Sequence, residues 1–375
     1  MCTYKRHVVS KLKTYYPRIA IILLIGLSLG VCNMTANANE YLTITAVGDI
    51  MMGTTYPEIL LPPDDGRGIF DNIRKEFSGG DIVFGNLEGP LIDEGKTTKC
   101  DNSTSGQCYA FKTPTRYVRY LKDAGFNVIG IANNHSSDFG TQGIESTIGT
   151  LTSSDIKPVG GKSIGFLVIK GKTIAVVGFS FSSSPYSYSI LDINKSVEII
   201  RKLKETNDIV IVSFHGGAEG KSAAHISEGN EYFLGENRGN VMKFSRSVID
   251  AGADMVIGHG PHVLRAFEIY KRKLIAYSLG NFLTYGMFNI KGPNGLSAIL
   301  KAQLDSETGN FIQGEIVPLK LINGGIPEID TGREALKLLR KLTIEDIDNA
   351  NLAISDEGIL SALESEELKR HLRNK

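Results

Sequence analysis

The feature that most constrains the fold of this chain is a regular alternation of short apolar runs with amphipathic stretches. The apolar runs have the length of strands and are bounded by polar or glycine residues, which predicts β-strands. Seven strands are predicted, at residues 41–47, 81–87, 127–132, 173–179, 208–214, 254–259 and 273–279. Four helices are predicted between them, at residues 114–125, 141–154, 195–206 and 239–252. Continuous apolar strands that alternate with helices predict an α/β fold whose sheets are covered by helices.

The pattern changes after Phe282. Residues 296–321 predict a β-hairpin that turns at residues 306–310, and residues 332–347 predict a terminal helix. The charged tail of residues 348–375 predicts a solvated helical end. Because no internal repeat or clear linker interrupts the chain, we expect one domain over residues 41–325, followed by a C-terminal helical extension over residues 326–375.

The first 38 residues have the pattern of an export signal. Basic residues precede the apolar run IAIILLIGLSLGV, and Ala36 and Ala38 are the small residues that a signal peptidase reads. We therefore expect residues 1–38 to be a signal peptide, and the mature protein to be exported to the periplasm or the cell surface. Two alternatives stay open. The apolar run, shorter than the ~20 residues of a spanning helix, could be kept as a membrane anchor, or Cys32 could be lipid-modified.

The balance of charge argues against one class of partner. The whole chain has 41 basic and 41 acidic residues, and removal of the first 38 residues leaves 36 basic residues against the same 41 acidic ones. The mature chain is therefore acidic, and its sequence has no basic stripe. We expect no nucleic-acid partner.

The mature chain keeps two cysteines, Cys100 and Cys108, in the polar stretch CDNSTSGQC. A disulfide that closes this short loop fits an oxidising compartment. The alternative is two free thiols in a flexible loop.

Side chains that follow the predicted strands form the candidate site. In a parallel α/β sheet the carboxyl ends of neighbouring strands meet at one crevice, so these side chains should converge. Carboxylate, amide and neutral imidazole groups without cysteine suit Zn²⁺, Mn²⁺ or Fe²⁺, and the set is large enough for one ion or two. The residues at these strand ends are Asp49, Asn86, Glu88, Asn133, Asn134, His135, Asp138, His215, Glu219, His259, His262 and Asn281.

Each of these residues also has an explanation without a metal. Asp49 could cap a helix or form a turn, Glu88 could lie in a surface turn, and a single histidine could be a satisfied loop residue. Ligand chemistry at five separate strand ends is hard to obtain by coincidence. The set as a whole therefore favours a site for a metal or a polyvalent ligand.

Six ordered motifs carry a resemblance to a known family. These motifs are VGDIMMG, DIVFGNLEGPL, GFNVIGIANNHSSDFGTQGI, VSFHGGAE, GADMVIGHGPHV and YSLGNF. Together they resemble the bacterial capsule synthesis protein CapA family, which is linked to poly-gamma-glutamate synthesis and export. The resemblance implies a calcineurin-like metallophosphoesterase-type β-sandwich flanked by helices, with a C-terminal hairpin and helix.

The resemblance also implies roles for individual residues. It implies that His135 protonates a leaving group or steadies phosphoryl oxygens, and that Asp138 orients His135. The motifs of Asn86, Glu219 and Asn281 imply contacts with substrate or with the metal ligands. The implied metal ligands are Asp49, Glu88 in place of a bridging aspartate, Asn134, His215, His259 and His262.

Two departures from the wider superfamily bear on the number of ions. Met51 stands where those phosphoesterases usually carry a histidine, and a thioether is a poor ligand for a hard divalent ion. Two residues separate His259 from His262, where the superfamily has one. We therefore predict that these two histidines serve different ions, or that one of them faces the substrate.

Three hypotheses for function follow. The first is an exported metal-dependent hydrolase that acts on a phosphoester or on an envelope polymer bond. The second is a non-catalytic component of a polyanionic polymer assembly or export complex, working with membrane-bound capsule synthesis partners. The third is a protein that binds a small anion in the same crevice.

Overall fold

Two β-sheets packed face to face form the centre of the structure. The structure is a computed structural model that describes residues 41–95, 97–101, 108–160, 163–182 and 187–363. The strands are β1 (Tyr41–Met51), β2 (Ile82–Leu87), β3 (Val128–Gly130), β4 (Lys157–Val159), β5 (Gly165–Ile169), β6 (Lys172–Ser180), β7 (Tyr188–Ser189), β8 (Ile209–His215), β9 (Glu231–Phe233), β10 (Glu236–Gly239), β11 (Met255–His259), β12 (Phe267–Tyr270), β13 (Lys273–Ala276), β14 (Asn281–Thr284), β15 (Leu296–Asp305), β16 (Phe311–Ile322), β17 (Ile326–Ile329), β18 (Leu352–Ile354) and β19 (Ile359–Ala362).

Five α-helices flank the sheets in the described ranges. They are α1 (Val118–Ala124), α2 (Gly140–Ser153), α3 (Ile193–Lys204), α4 (Val241–Asp250) and α5 (Glu334–Asp346). Short 3-10 helices lie at Pro63–Gly66, Arg74–Phe77, Thr115–Tyr117, Lys221–Ala223 and Gly292–Gly295. Asp192 and Asn240 cap α3 and α4, because each side chain accepts a hydrogen bond from a backbone N–H in the first turn.

The first sheet has the strand order β18-β19-β16-β15-β1-β2-β3-β4, with β14 beside β1 and β17 beside β16. β1, β2, β3 and β4 are parallel neighbours, and β14 also runs parallel to the end of β1. The second sheet has the order β12-β13-β11-β8-β6-β5, with β7 beside β6. Its central strands β13, β11, β8 and β6 are parallel.

Three apolar clusters define the layers. Residues such as Ile44 and Phe84 of the first sheet pack against Val176 and Ile211 of the second, so this cluster fills the space between the sheets. The other face of the second sheet packs on α3 and α4, and the other face of the first sheet packs on α1 and α2. The predicted β-sandwich flanked by helices is therefore confirmed.

The C-terminal region differs in part from its prediction. The hairpin of β15 and β16 and the helix α5 form close to the predicted positions. The predicted helical end after residue 347 is wrong within the described range, since β18 and β19 form there and β19 pairs with β16. These strands bury the side chains of Leu352 and Leu360 in the apolar cluster between the two sheets.

The predicted signal peptide of residues 1–38 lies outside the described residues. Within the described parts of the chain, no helix has both the length and the apolar character that crossing a membrane requires. Cys100 and Cys108 are joined by a disulfide, with their Cα atoms 5.6 Å apart.

Candidate metal centre

The end of β1 places Asp49 between two asparagines. In the parallel register Asp49 lies beside Asn86 of β2 on one side and Asn281 of β14 on the other. The close approach of β14 requires Gly48, because a Cβ atom there would lie 1.9 Å from the carbonyl oxygen of Gly280. This packing explains why glycine precedes the aspartate in the first motif.

The second sheet delivers two histidines to the same region. His215 ends β8 and His259 ends β11, and the two residues are partners in the register of these parallel strands. His259 Nε2 lies 3.0 Å from the carbonyl oxygen of Val47 in β1, so this imidazole joins the two sheets. The N–H that His259 donates to this carbonyl leaves its Nδ1 atom with a lone pair.

Glu88 lies at the centre of the group. Its carboxylate is fully buried, and its Oε1 atom lies 3.5 Å from His262 Nε2, 3.9 Å from His215 Nε2 and 4.0 Å from His135 Nε2. Three imidazoles from three separate parts of the chain therefore face one carboxylate oxygen. This is the position at which the sequence placed a bridging ligand.

His262 is oriented by two acceptors. Its Nδ1 atom lies 3.1 Å from Asp49 Oδ2 and 3.1 Å from Asn281 Oδ1, so Nδ1 carries the proton and Nε2 faces Glu88. Asp49, Glu88 and His262 each offer one ligand atom, and these atoms lie within 4.8 Å of one another. This triad is buried and has the oxygen and nitrogen donors of a divalent-metal site.

Buried ligand atoms without hydrogen-bond partners provide a test of whether a metal fits. Among the described residues, the buried atoms that lack a partner include Glu88 Oε1 and Oε2, Asn134 Oδ1, His215 Nε2 and His259 Nδ1. A buried polar atom without a partner costs free energy, so each of them needs an explanation. Each belongs to a residue that the resemblance implied as a metal ligand, and a divalent cation held by Glu88, Asp49 and His262 would give the Glu88 carboxylate a partner.

Asn86 and Asn133 support these ligands. The Asn86 amide donates to Asp49 Oδ1 at 2.8 Å and lies 3.3 Å from His215 Nδ1, while its oxygen accepts from Asn133 at 3.1 Å. Asn133 also accepts a hydrogen bond from the backbone N–H of His135. The two asparagines therefore link the end of β1 to the loop that carries Asn134 and His135.

Burial and charge shift the protonation of the centre. Burial raises the pKa of Glu88 well above its ordinary value, and the nearby acids Asp49 and Glu219 add to this effect. Burial opposes the charge of His262, but the carboxylates of Glu88 and Asp49 outweigh it and raise the pKa of His262 to about 10. The raised pKa of His262 keeps this imidazole protonated at neutral pH in the metal-free centre, where it faces Glu88.

The other titratable groups of the centre have lowered pKa values, so the acid is ionised and the imidazoles are neutral. Burial also opposes ionisation of Asp49, but the hydrogen bond and positive charge of His262 hold the pKa of this carboxyl below its ordinary range. Burial lowers the pKa of His135, His215 and His259, so these imidazoles are neutral at pH 7. Neutral imidazole is the form that binds metals.

His135 and Asp138 form a hydrogen-bonded pair beside the triad. His135 Nδ1 lies 2.9 Å from Asp138 Oδ2, and the ring of Phe111 stacks on the imidazole with 4.3 Å between ring centres. Since Asp138 accepts at Nδ1, the Nε2 atom of His135 faces Glu88. The pair thus presents an imidazole nitrogen to whatever is bound at the centre.

A cavity of about 650 Å³ opens beside the centre. His135, His262, Glu219 and Asn281 line it together with aromatic side chains such as Phe111 and Phe288. Glu219 is held by Arg238, whose guanidinium lies 2.6 Å from the carboxylate. The cavity gives a ligand direct access to the imidazoles.

The structure brings the predicted site residues together, and the predicted roles of metal ligand, catalytic pair and supporting contact stay predictions. It also shows that Met51 Sδ accepts the backbone N–H of Gly53 at 3.3 Å, so this thioether is engaged locally. Sequence reasoning missed Lys99, Phe111 and Arg238, which lie outside the strand ends. For Lys99 one signal existed, its position next to Cys100 in the predicted disulfide loop.

The fold and the site define an α/β sandwich with a buried cluster of carboxylate and imidazole side chains, of the types that can bind a metal, contributed by both sheets. The chain belongs to the family described as "Bacterial capsule synthesis protein PGA_cap", which matches residues 43–285. That match includes all the strand-end residues discussed above.

Two relatives illustrate the similarity. The chain is 29% identical over 353 residues to "Capsule biosynthesis protein CapA" of Bacillus anthracis, and the alignment covers 87% of this chain and 80% of the relative. It is 31% identical over 262 residues to "PGA biosynthesis protein CapA" of Bacillus subtilis (strain 168), and that alignment covers 66% of this chain and 64% of the relative. Among solved structures, a phosphatase from Mycoplasma pneumoniae covers 80% of this chain and 99% of its own, with 15% identity and a TM-score of 0.48.

Proposed function

We propose that this protein is an exported, metal-dependent hydrolase that acts on a phosphoester or an envelope polymer bond in capsule or poly-gamma-glutamate synthesis. The observation that carries the proposal is the buried carboxylate of Glu88, whose two oxygens lack hydrogen-bond partners among the described residues and which lies beside Asp49 and His262. Family membership supports the link to capsule synthesis, and the names of the Bacillus relatives support the same polymer class.

Asp49, Glu88 and His262 would hold one divalent cation. Glu88, Asn134, His215 and His259 have the free donor atoms that a second would need. A bound divalent cation would lower the pKa of a water ligand and neutralise charge on phosphoryl oxygens. Mn²⁺, Zn²⁺ and Fe²⁺ all suit this donor set.

The chain's own residues would do the remaining work. His135 faces the centre through Nε2 and is oriented through Nδ1 by Asp138, so it is placed to hydrogen-bond a phosphoryl oxygen or to give a proton to a leaving group. An anionic group bound next to His135 would raise the pKa of this imidazole and favour the donating form. The apolar walls of the cavity would exclude water from the reacting atoms.

The test uses the protein without residues 1–38, stripped of metal by a chelator and reloaded with Mn²⁺. We expect at least about one equivalent of bound metal and Mn²⁺-dependent hydrolysis of bis-p-nitrophenyl phosphate, lost in His135→Ala. His225→Ala is the matched control, because His225 pairs with Asp346 in α5 and lies outside the centre. Less than one equivalent of metal, together with turnover that His135→Ala leaves intact, would contradict the proposal.

A second candidate function has its own observation. Met51 leaves one imidazole fewer than the hydrolases of the wider superfamily carry, and its sulfur is already bonded to the Gly53 N–H. This favours a non-catalytic role in a polymer assembly or export complex with membrane-bound partners. Metal binding without turnover, combined with loss of capsular polymer when the gene is deleted, would support this function over hydrolysis.

A further inference from the structure

A short segment next to the centre contacts the His135–Asp138 pair at two points. We define this segment, the disulfide arm, as residues 97–101 and 108–111, which the bond between Cys100 and Cys108 joins. Lys99 contacts the pair from one side of the disulfide. Phe111 contacts it from the other side, where its backbone N–H donates to Asp138 Oδ2 at 2.7 Å and its ring stacks on His135.

The contacts of Lys99 converge on the loop of residues 134–138. Its ammonium group lies 2.7 Å from Asp138 Oδ1 and donates to the carbonyl oxygen of Asn134 at 3.2 Å. The same nitrogen lies 3.2 Å from His135 Nδ1. One side chain therefore connects the acid, the histidine and the backbone of a candidate ligand.

Burial makes this cation important for Asp138. The Asp138 side chain is 0% exposed and that of Lys99 is 31% exposed, so the carboxylate depends on its neighbours for compensation. A buried carboxylate without an opposite charge is costly. The Lys99 ammonium, 2.7 Å from Asp138 Oδ1, supplies a positive charge that this carboxylate faces.

The backbone around Lys99 is also fixed. Its N–H donates to the carbonyl oxygen of Asp138 at 2.9 Å, so the arm is attached to the loop by main chain as well as by side chain. Asp101 accepts hydrogen bonds from the backbone and the hydroxyl of Thr98, which closes a tight turn around Lys99. The arm thus presents Lys99 in one geometry.

We propose that Lys99 is a positioning residue that holds the Asp138 carboxylate, and through it the His135 ring, in the orientation needed to act on a bound substrate. This inference rests on the proposed function for its effect on turnover, but the orientation itself is measurable without any activity. The Lys99 ammonium forms an ion pair with Asp138 at Oδ1 and donates to the Asn134 carbonyl, while Asp138 Oδ2 is the oxygen that bonds to His135 Nδ1.

The first measurement is NMR of ring-¹⁵N-labelled histidine in the metal-free protein. The signal lost in His135→Ala identifies His135. We expect Lys99→Met to shift the His135 ring signals, and Lys99→Arg to restore them, because a guanidinium can still compensate Asp138. The His225 signal serves as an internal reference for folding, since His225 bonds to α5. Unchanged His135 signals in Lys99→Met would overturn the proposal.

The second measurement is hydrolysis of two phosphodiesters in the presence of Mn²⁺. Proton donation matters more for the phenolate of diphenyl phosphate than for the better leaving group of bis-p-nitrophenyl phosphate. We expect Lys99→Met to lower kcat for diphenyl phosphate about 10- to 100-fold, with a smaller loss for the nitrophenyl ester and little change in KM. Lys99→Arg should recover most of the loss.

Lys112→Met is the matched control. Lys112 directly follows the disulfide arm, and its ammonium lies over the ring of Phe139 instead of on the pair. Equal losses for both esters, or a loss in Lys112→Met as large as in Lys99→Met, would overturn a positioning role. If the unmodified protein hydrolyses neither ester, the proposed function fails, and the NMR comparison alone decides the role of Lys99.

Discussion

At the scale of single residues, Glu88 combines the features expected of a ligand. It is fully buried, its two oxygens lack hydrogen-bond partners among the described residues, and three imidazoles face it. A residue placed for folding alone would have acquired partners, since an unsatisfied buried carboxyl destabilises the fold. The unfavourable surroundings of Glu88 are explained if its partner is an ion.

Glu88→Gln tests this explanation from two directions. We expect the variant to bind Mn²⁺ at least about tenfold more weakly by calorimetry, because an amide offers one weak oxygen ligand in place of a carboxylate. We also expect the metal-free variant to melt at the same or a higher temperature, since the substitution removes an acid that burial disfavours. Exposed Glu198 on α3 gives the control, Glu198→Gln. A large loss of stability with unchanged metal affinity would assign Glu88 a structural role.

The proton that His262 keeps beside Glu88 in the metal-free protein predicts a pH dependence of metal binding. Both groups have a pKa raised by the fold, so a metal must displace that proton to reach Glu88 and His262 Nε2. Affinity for Mn²⁺ should therefore increase with pH between about pH 6 and about pH 8, with release of about one proton per ion. Calorimetry in two buffers of different ionisation enthalpy measures this release. Affinity that is flat or falls with pH would count against a proton kept on His262.

The elements that carry the site differ in how far sequence predicts them. Strand ends such as that of β1 were predictable, because apolar runs of strand length and the polar residues after them are local signals. The positions of β14 and of the disulfide arm were not, since neither has a long apolar run. β14 is fixed by the Gly48–Gly280 contact, and the arm is fixed by Asp138, both between residues far apart in sequence.

The loop between β8 and β9 depends on a buried ion pair. Arg265 is fully buried, bonds Glu231 through two nitrogens at 2.9 and 2.7 Å, and donates to the carbonyl oxygens of Ala218 and Ala223. These contacts hold the loop that carries Glu219 to the cavity.

Arg265→Met should lower the free energy of unfolding by about 3–5 kcal/mol in urea, because it leaves Glu231 buried without its partner. Lys195→Met is the control, since Lys195 pairs with Glu198 on the exposed face of α3 and should change stability little. A loss in Arg265→Met no larger than in this control would show that the loop is held by its packing.

At the scale of the whole molecule, the site joins two sheets. Asp49 and Glu88 come from the first sheet and its loops, and His215 and His259 come from the second. The sequence predicted that these groups converge on one crevice, but the pairing of strands into two separate sheets required the three-dimensional contacts. An ion bound to both groups would link the two halves of the sandwich.

Metal should therefore stabilise the whole fold. At a Mn²⁺ concentration about 100 times its Kd, binding to the folded state alone adds about 2.7 kcal/mol to the free energy of unfolding. The melting temperature should rise on addition of Mn²⁺ and return to its starting value with a chelator. The Glu88→Gln variant should show little of this rise, and an equal rise in the variant would place the ion elsewhere.

The central claim is that the strand-end residues bind a divalent metal at Glu88. The most direct test is an anomalous difference map from a crystal of the protein soaked in Mn²⁺. We predict a peak within coordination distance of Glu88, Asp49 and His262, and a second peak near His215 and His259 if two ions bind. A well-ordered Glu88 with no peak in contact with its carboxylate would contradict the account.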